Sequence, residues 1–345
     1  MLAYWLLYGI PALAALAERV RVRRSFAWAF YVGFLVLAVG LRDRVGGDWP
    51  QYLEIFRATR YLSLAEAAMR GDPGYQAVNW LCQQLGLGIW GVNLLCALLF
   101  AWGLAAFCRA QPRPWLALAV AVPYLVIVVA MGYTRQAVAL GLAMRGLVHL
   151  GEQRHLRFAL WVLLGALFHK TAVILLPVAA LAATRRRLWT AVWVALVTVL
   201  AYQLLLEEAV DTLYTNYLER RYQSQGAFIR LAMNTVAAVL FLLWRRRFAC
   251  GREGVALWTW FAWLSLALLA ILLLSPSTTA VDRVGLYFLP LQLVVFARLP
   301  DALGGARPAA LVGAVVAYYG AVLFVWLHFA YHAHAWLPYR NFLFS

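Results

Sequence analysis

The chain has 345 residues, of which 65% are apolar or aromatic and 13% charged, against roughly 45–50% and about 25% in a soluble domain. That balance excludes a water-exposed globular surface, a disordered polymer and a disulfide scaffold, and it places the chain in a membrane. The net charge of +16 would suit a nucleic-acid partner, but the arginines exclude one, because seventeen basic residues fall in six short clusters between apolar stretches, around Arg19, Arg109, Arg154, Arg186, Arg246 and Arg298.

Placing all six clusters on one side satisfies the positive-inside rule at every crossing and makes that side cytoplasmic. The same choice leaves four acidic residues inside (Glu18, Glu152, Glu253, Asp301) and ten outside. The expected fold is an all-α integral membrane protein, one polytopic domain over 1–345. It has about twelve spans: 2–17, 25–41, 88–108, 115–131, 133–150, 156–168, 172–184, 188–205, 229–244, 255–275, 284–297 and 308–329. Both termini then face outward. The first span reads as a retained anchor, since its positive cluster follows the apolar run instead of preceding it.

Two outer loops, 42–87 and 206–228, are long enough for structure of their own. In the first, Trp49, Tyr52, Leu53 and Phe56 recur at helical spacing beside Glu54 and Arg57, which predicts a pair of short amphipathic helices at the interface. The run before them, Arg42-Asp43-Arg44-Val45-Gly46-Gly47-Asp48, has two glycines suited to a tight turn near a ligand. Asp48 is positioned to cap the helix that starts near Trp49-Pro50. Its alternative role is a carboxylate accepting hydrogen bonds from sugar hydroxyls, with Trp49 and Tyr52 offering faces to sugar rings.

Several spans are short. A hydrocarbon core of about 30 Å needs roughly 20 helical residues, and 156–168 and 172–184 fall well below that. Merging them would carry Arg185, Arg186 and Arg187 outward, so the charge rule prefers a hairpin with its tip at Phe168-His169-Lys170-Thr171. A charged tip below the lipid surface must face a protein-lined, hydrated cavity. Two other shallow tips have the same character, Gly132-Tyr133-Thr134-Arg135-Gln136 and Val281-Asp282-Arg283.

Arg135, His169, Lys170, Asp282 and Arg283 are therefore expected to share one outward pocket whose cations suit a phosphate-rich ligand. Lys170 is the only lysine in the chain, which favours a requirement for an ammonium. Each residue also has a plain structural use: Arg135 snorkelling to headgroups, Asp282 and Arg283 pairing with each other, His169 bonded at a helix end. Cys82, Cys96, Cys108 and Cys250 form no CxxC and read as packing residues. No metal site is expected, since His332 and His334 stand without a third ligand nearby in sequence.

Five motifs, taken together, have a familiar order and spacing: Gly46-Gly47-Asp48-Trp49-Pro50-Gln51-Tyr52, Tyr133-Thr134-Arg135-Gln136, Phe168-His169-Lys170-Thr171-Ala172, Asp282-Arg283 with Tyr287, and Trp336-Leu337-Pro338-Tyr339-Arg340-Asn341. From about residue 40 to the C-terminus they resemble the EpsG family, within the broad Wzy-like group of polysaccharide polymerases. The resemblance implies a bacterial inner-membrane polymerase of an exopolysaccharide or capsule, similar to O-antigen ligases. Such an enzyme joins oligosaccharide repeat units carried on undecaprenyl diphosphate at the periplasmic face, by glycosyl transfer without metal or cofactor. Donor and acceptor units and membrane lipids are the implied partners, and a chain-length regulator is a further one.

On this reading Arg135, Arg283, Lys170 and Arg44 stabilise the leaving diphosphate. His169 is the general base, with Asp48 and Asp282 as alternatives. Trp49, Tyr52, Tyr133 and Gln136 contact sugar, and direct displacement inverts the anomeric carbon. Two rivals use the same residues differently. A membrane acyltransferase would use the histidine on an acyl donor, and a flippase or exporter of lipid-linked oligosaccharide would need the cations but not His169.

Overall fold

The computed structural model describes residues 1–17, 26–182, 187–205, 224, 226–275, 277–305 and 307–344. The arginine cluster near Arg19, residues Arg185 and Arg186, and most of the expected loop 206–228 lie outside the described residues. Sixteen α-helices are described: α1 (Leu2–Ala17), α2 (Phe26–Gly40), α3 (Trp49–Ala58), α4 (Leu64–Met69), α5 (Pro73–Gln84), α6 (Gly88–Arg109), α7 (Pro114–Ala121), α8 (Thr134–Gly151), α9 (His155–Ala166), α10 (Leu176–Ala182), α11 (Arg187–Leu205), α12 (Ala227–Trp244), α13 (Gly251–Leu274), α14 (Thr278–Gly285), α15 (Pro290–Leu303) and α16 (Pro308–Phe329). Over its described residues, each of the twelve apolar stretches read from the sequence is mainly helical. The only β pairing among the described residues is a single antiparallel bridge between Arg42 and Asn341.

Length and composition qualify four helices to cross a membrane, α6, α12, α13 and α16, or five if the pair of segments Thr278–Phe288 and Pro290–Leu303, bent by 44°, is one span. Helices α1, α2 and α9 and the stretches 114–130, 170–182 and 188–201 are apolar but shorter. Several helices expose large apolar side chains, including Leu188, Trp189 and Leu196 on α11 and Leu243 on α12. Outward apolar faces of this kind belong in hydrocarbon.

Two compact units are found. The first comprises Met1–Leu142, Leu164–His169 and Val312–Ser345, the second Ala143–Leu163 and Lys170–Leu311. In the first unit α7 continues as a π-helix, Val122–Ala130, and is buried almost all round, as an evenly apolar helix must be inside a protein. Helices α6 and α8 touch at Gly103 and Gly141, where a Cβ on Gly103 would stand 1.9 Å from the Gly141 carbonyl oxygen. This is the close backbone approach that small residues permit between membrane helices. In the second unit α12 packs on α13, α14 and α15, with Ala227, Leu231, Leu272 and Val281 forming an apolar core cluster.

The loop 42–87 departs from expectation. It forms three short helices, α3, α4 and α5, instead of a pair. The extra helix is α4, held by a capping box in which the Glu66 backbone N–H donates to Ser63 Oγ and the Ser63 N–H donates to Glu66 Oε2 at 2.8 Å. Asp48 occupies the N-cap position of α3, yet its side chain makes no capping bond. Asp282 and Arg283 also differ from expectation, since they lie within α14 and not ahead of the helix. Helix α14 starts at Thr278, and Pro290, which has no N–H to extend the ladder, opens α15 after the bend.

Candidate functional site

In the first unit the glycine turn before Trp49, the start of α8 and the C-terminal segment gather around a buried arginine. Arg42 is only 1% exposed. Its Nε donates to the carbonyls of Met131 (3.0 Å) and Val45 (3.2 Å), Nη1 to that of Val39 (2.7 Å), and Nη2 to Thr134 Oγ1 (2.7 Å) and Asn93 Oδ1 (3.3 Å). The guanidinium also lies 5.9 Å over the Trp49 ring. Carbonyls left over at the end of the π-helix need donors. Arg42 supplies one of these, and Trp336 another, its Nε1 donating to the Ile127 carbonyl at 2.8 Å.

The C-terminal segment closes the knot. The Asp43 N–H donates to the Arg340 carbonyl, and the Gly46 N–H to that of Ala335, while Tyr339 Oη donates to the Ala38 carbonyl at 2.8 Å. Gly46 has φ +106°, and a Cβ there would meet the Met131 oxygen at 2.1 Å. Only glycine fits that turn. Arg42 thus reads as the staple that holds the glycine turn against the start of α8.

Beside this knot, Arg135 stands in the first turn of α8. Its Nη1 donates to Asp72 Oδ2 at 2.8 Å, and its guanidinium lies 5.9 Å over the Tyr52 ring. Tyr52 in turn packs on Tyr75, with ring centroids 5.6 Å apart. Burial pushes the Tyr75 hydroxyl well above its ordinary range, so it stays neutral and Asp72 supplies the negative charge at this pair. The bond to Asp72 is one-sided. Nε of Arg135 is buried and has no hydrogen-bond partner among the described residues. Nε belongs to the fork of donors that can match phosphate oxygens, and its side is the open edge of the guanidinium, next to a helix N-terminus that favours anions.

His169 lies in the break between α9 and a 3₁₀ turn, Lys170–Leu175. Its backbone N–H and that of Phe168 both donate to the Gly165 carbonyl, and its side chain is half-buried. The preceding residue but one, Leu167, accepts from the Gly74 N–H at 2.8 Å. The turn that carries His169 therefore rests on the start of α5, the same helix end that places Asp72 against Arg135.

The second unit contains another arginine–aspartate pair. Asp282 does not pair with Arg283 alone, as one structural reading expected, but with Arg230. Arg230 Nε donates to Oδ1 at 2.8 Å, Nη2 donates to Oδ2, and Ser224 Oγ adds a bond to Oδ2 at 2.7 Å. Arg230 Nη2 also reaches Ser224 Oγ at 2.7 Å. Farther along, Thr171 Oγ1 and Tyr287 Oη lie 3.2 Å apart. Asn234 donates to Ser265 Oγ and accepts from Gln292, which settles buried polar groups between α12, α13 and α15.

Of the residues singled out from sequence, Arg135, Tyr52, Tyr133, Gln136, Asp48, Trp49, Arg44 and His169 belong to the first unit and Lys170, Asp282 and Arg283 to the second. Gln136, Trp49 and Tyr52 are buried, Tyr133, Asp48, Lys170 and Arg283 half-buried, and Arg44 exposed with φ +52°. The ring faces of Trp49 and Tyr52 are turned toward arginines. Arg42, Asp72 and Arg230 were not anticipated. The acid before Pro73 carries the same Asp-then-Pro helix-start signal as Asp48 before Trp49-Pro50, and that signal could have drawn attention to Asp72.

The EpsG family model matches residues 25–341, nearly the whole length, and includes every site residue above. No curated protein and no solved structure matches the chain. The chain, all-helical with several long apolar helices, belongs to the EpsG family, associated with exopolysaccharide biosynthesis.

Proposed function

We propose that the protein is the polymerase of an exopolysaccharide or capsule, a twelve-span protein of the bacterial inner membrane that joins undecaprenyl-diphosphate-linked repeat units at the periplasmic face. The observation that carries this reading is the open edge of Arg135, a guanidinium fixed by Asp72 and Tyr52 with its buried Nε unpartnered. Such an edge fits the diphosphate of a donor lipid, and the charge it stabilises grows as the glycosidic bond breaks. Arg44 adds positive charge for the same ligand. A chain-length regulator is the expected protein partner.

In the reaction, a hydroxyl of the acceptor unit gives its proton to His169 while its oxygen bonds to the donor's anomeric carbon. The bond from that carbon to the diphosphate oxygen breaks, and undecaprenyl diphosphate leaves with the electron pair. Asp282 is a poor candidate for the base, because its two oxygens already accept from Arg230 and Ser224. Asp48 is the alternative.

General-base catalysis is worth roughly 100- to 10,000-fold. Purified protein given a defined lipid-linked repeat unit is expected to form a polymer ladder, and His169→Gln, which hydrogen-bonds but takes no proton, is expected to lose it while donor still binds. Full activity of His169→Gln moves the base to Asp48. A wild-type protein that translocates the lipid without lengthening its glycan favours the exporter. The twelve-span topology predicts that cysteines placed beside Arg154 and beside Ser63 are labelled from opposite faces by an impermeant reagent.

A further inference from the structure

Asp72, Pro73 and Gly74 open α5, and the two residues flanking Pro73 make contacts outside their own helix. Asp72 is the N-cap residue, yet its side chain makes no capping bond, although such a bond is typically worth about 1 kcal/mol. Its carboxylate, 9% exposed, is turned instead to Arg135 at 2.8 Å. Pro73 has a fixed φ and no N–H, so it stiffens the step to the next residue. Gly74 then donates its N–H to the Leu167 carbonyl at 2.8 Å. A Cβ on Gly74 would meet Phe168 Cε2 at 3.0 Å and both Cβ and O of Leu167 at 3.1 Å. Within three consecutive residues, Asp72 thus touches the cation at the start of α8 and Gly74 the turn that ends in His169.

We infer that Asp72-Pro73-Gly74 is the positioning element of the transferase site, fixing the open edge of Arg135 and the turn of His169 relative to one another. The inference rests on the roles proposed above for those two residues. The first holds the departing diphosphate and the second faces the attacking hydroxyl, and direct displacement requires both to be set at once. A misplacement of about 1 Å costs on the order of 100-fold in rate, so a rigid three-residue link between the two is a direct way to keep the geometry. Neither Asp72 nor Gly74 touches the reacting atoms on this account.

The test uses full-length protein in nanodiscs, with steady-state kinetics on a defined lipid-linked repeat unit and thermal unfolding with and without inorganic pyrophosphate. Asp72→Asn keeps the shape but frees Arg135 to turn, and is expected to raise KM for the donor about tenfold with a smaller change in kcat, partly recovered by Asp72→Glu. Gly74→Ala pushes the Leu167–Phe168 turn and is expected to lower kcat about 10- to 100-fold with KM near the wild-type value. If Gly74→Ala does not fold, the isosteric Asp72→Asn still decides. Wild-type kinetics in both variants, or losses that only track the folded fraction, overturn the inference.

Should the wild-type protein form no polymer, the function proposed above fails separately, and pyrophosphate becomes the readout. Stabilisation by pyrophosphate that is lost in both Arg135→Ala and Asp72→Asn supports the positioning role. Stabilisation that survives Asp72→Asn overturns it.

Discussion

The two arginine–aspartate pairs, Arg135 with Asp72 and Arg230 with Asp282, are made of the same groups and differ in how much of each is used. In the Arg230 pair both carboxylate oxygens accept from the guanidinium and a serine adds another bond. In the Arg135 pair one nitrogen meets one oxygen, and the buried Nε is left without a partner among the described residues. A buried ion pair costs several kcal/mol per ion in desolvation and recovers it only with its hydrogen bonds made. The closed pair is therefore built to hold α12 to α14. The open pair leaves one buried donor unmet, which is costly for stability, and on the function proposed above a ligand completes that bonding.

This contrast can be broken by mutation. The largest expected effect is on catalysis at the open pair: Arg135→Ala is expected to cut the rate of polymer formation by about 100- to 1,000-fold, as loss of a preorganised charge-stabilising donor typically does. Its unfolding midpoint should shift little. Asp282→Ala is expected to behave in the opposite way, losing about 3 kcal/mol of stability because Arg230, only 17% exposed, loses its carboxylate partner, measured by thermal unfolding in detergent. Protein that remains folded should keep most of its activity.

A double replacement, Arg230→Met with Asp282→Leu, sharpens the point, since exchanging a whole buried pair for apolar groups is often neutral or stabilising. It is expected to recover most of the stability lost in Asp282→Ala, with activity following. A double variant that folds well but makes no polymer would show that the second pair takes part in the reaction.

The smallest effect is expected at Ser63. Ser63→Ala removes the capping box of α4 at a cost of about 1 kcal/mol and should leave KM and kcat unchanged. That would mark the exposed part of the outer loop as scaffold.

The helices were the legible part of this protein. Twelve apolar runs punctuated by arginines locate most of the long helices, because span length and charge are local properties of a sequence, whereas the run 284–297 straddles the bend between α14 and α15. Even the shortness of the segments on either side of His169 was readable, and α9 ends at Ala166 with the chain breaking before Lys170. The capping box of Ser63 and Glu66 has a local signal, a serine three residues before a glutamate, which the reading of the loop by its aromatic spacing passed over in favour of two helices.

The site was legible in its cations and illegible in their partners. Asp72 lies 63 residues from Arg135, and Arg230 lies 52 from Asp282, and no periodicity links such pairs. Asp48 was expected to cap α3 and does not, because position at a helix start fixes opportunity and leaves the side chain's choice to its surroundings. The buried Arg42 followed by an exposed Arg44 illustrates the same point. Only the fold distinguishes a staple with five carbonyl and side-chain acceptors from a guanidinium in solvent.

The most direct measurement of the central claim is the affinity of purified, nanodisc-embedded protein for undecaprenyl diphosphate, compared between wild type and Arg135→Lys. Lysine keeps the charge but has no fork. The account predicts at least a tenfold weaker Kd for Arg135→Lys, about 1.4 kcal/mol, with unfolding behaviour unchanged. Equal affinity in the two proteins would mean that the open edge of Arg135 does not hold the diphosphate.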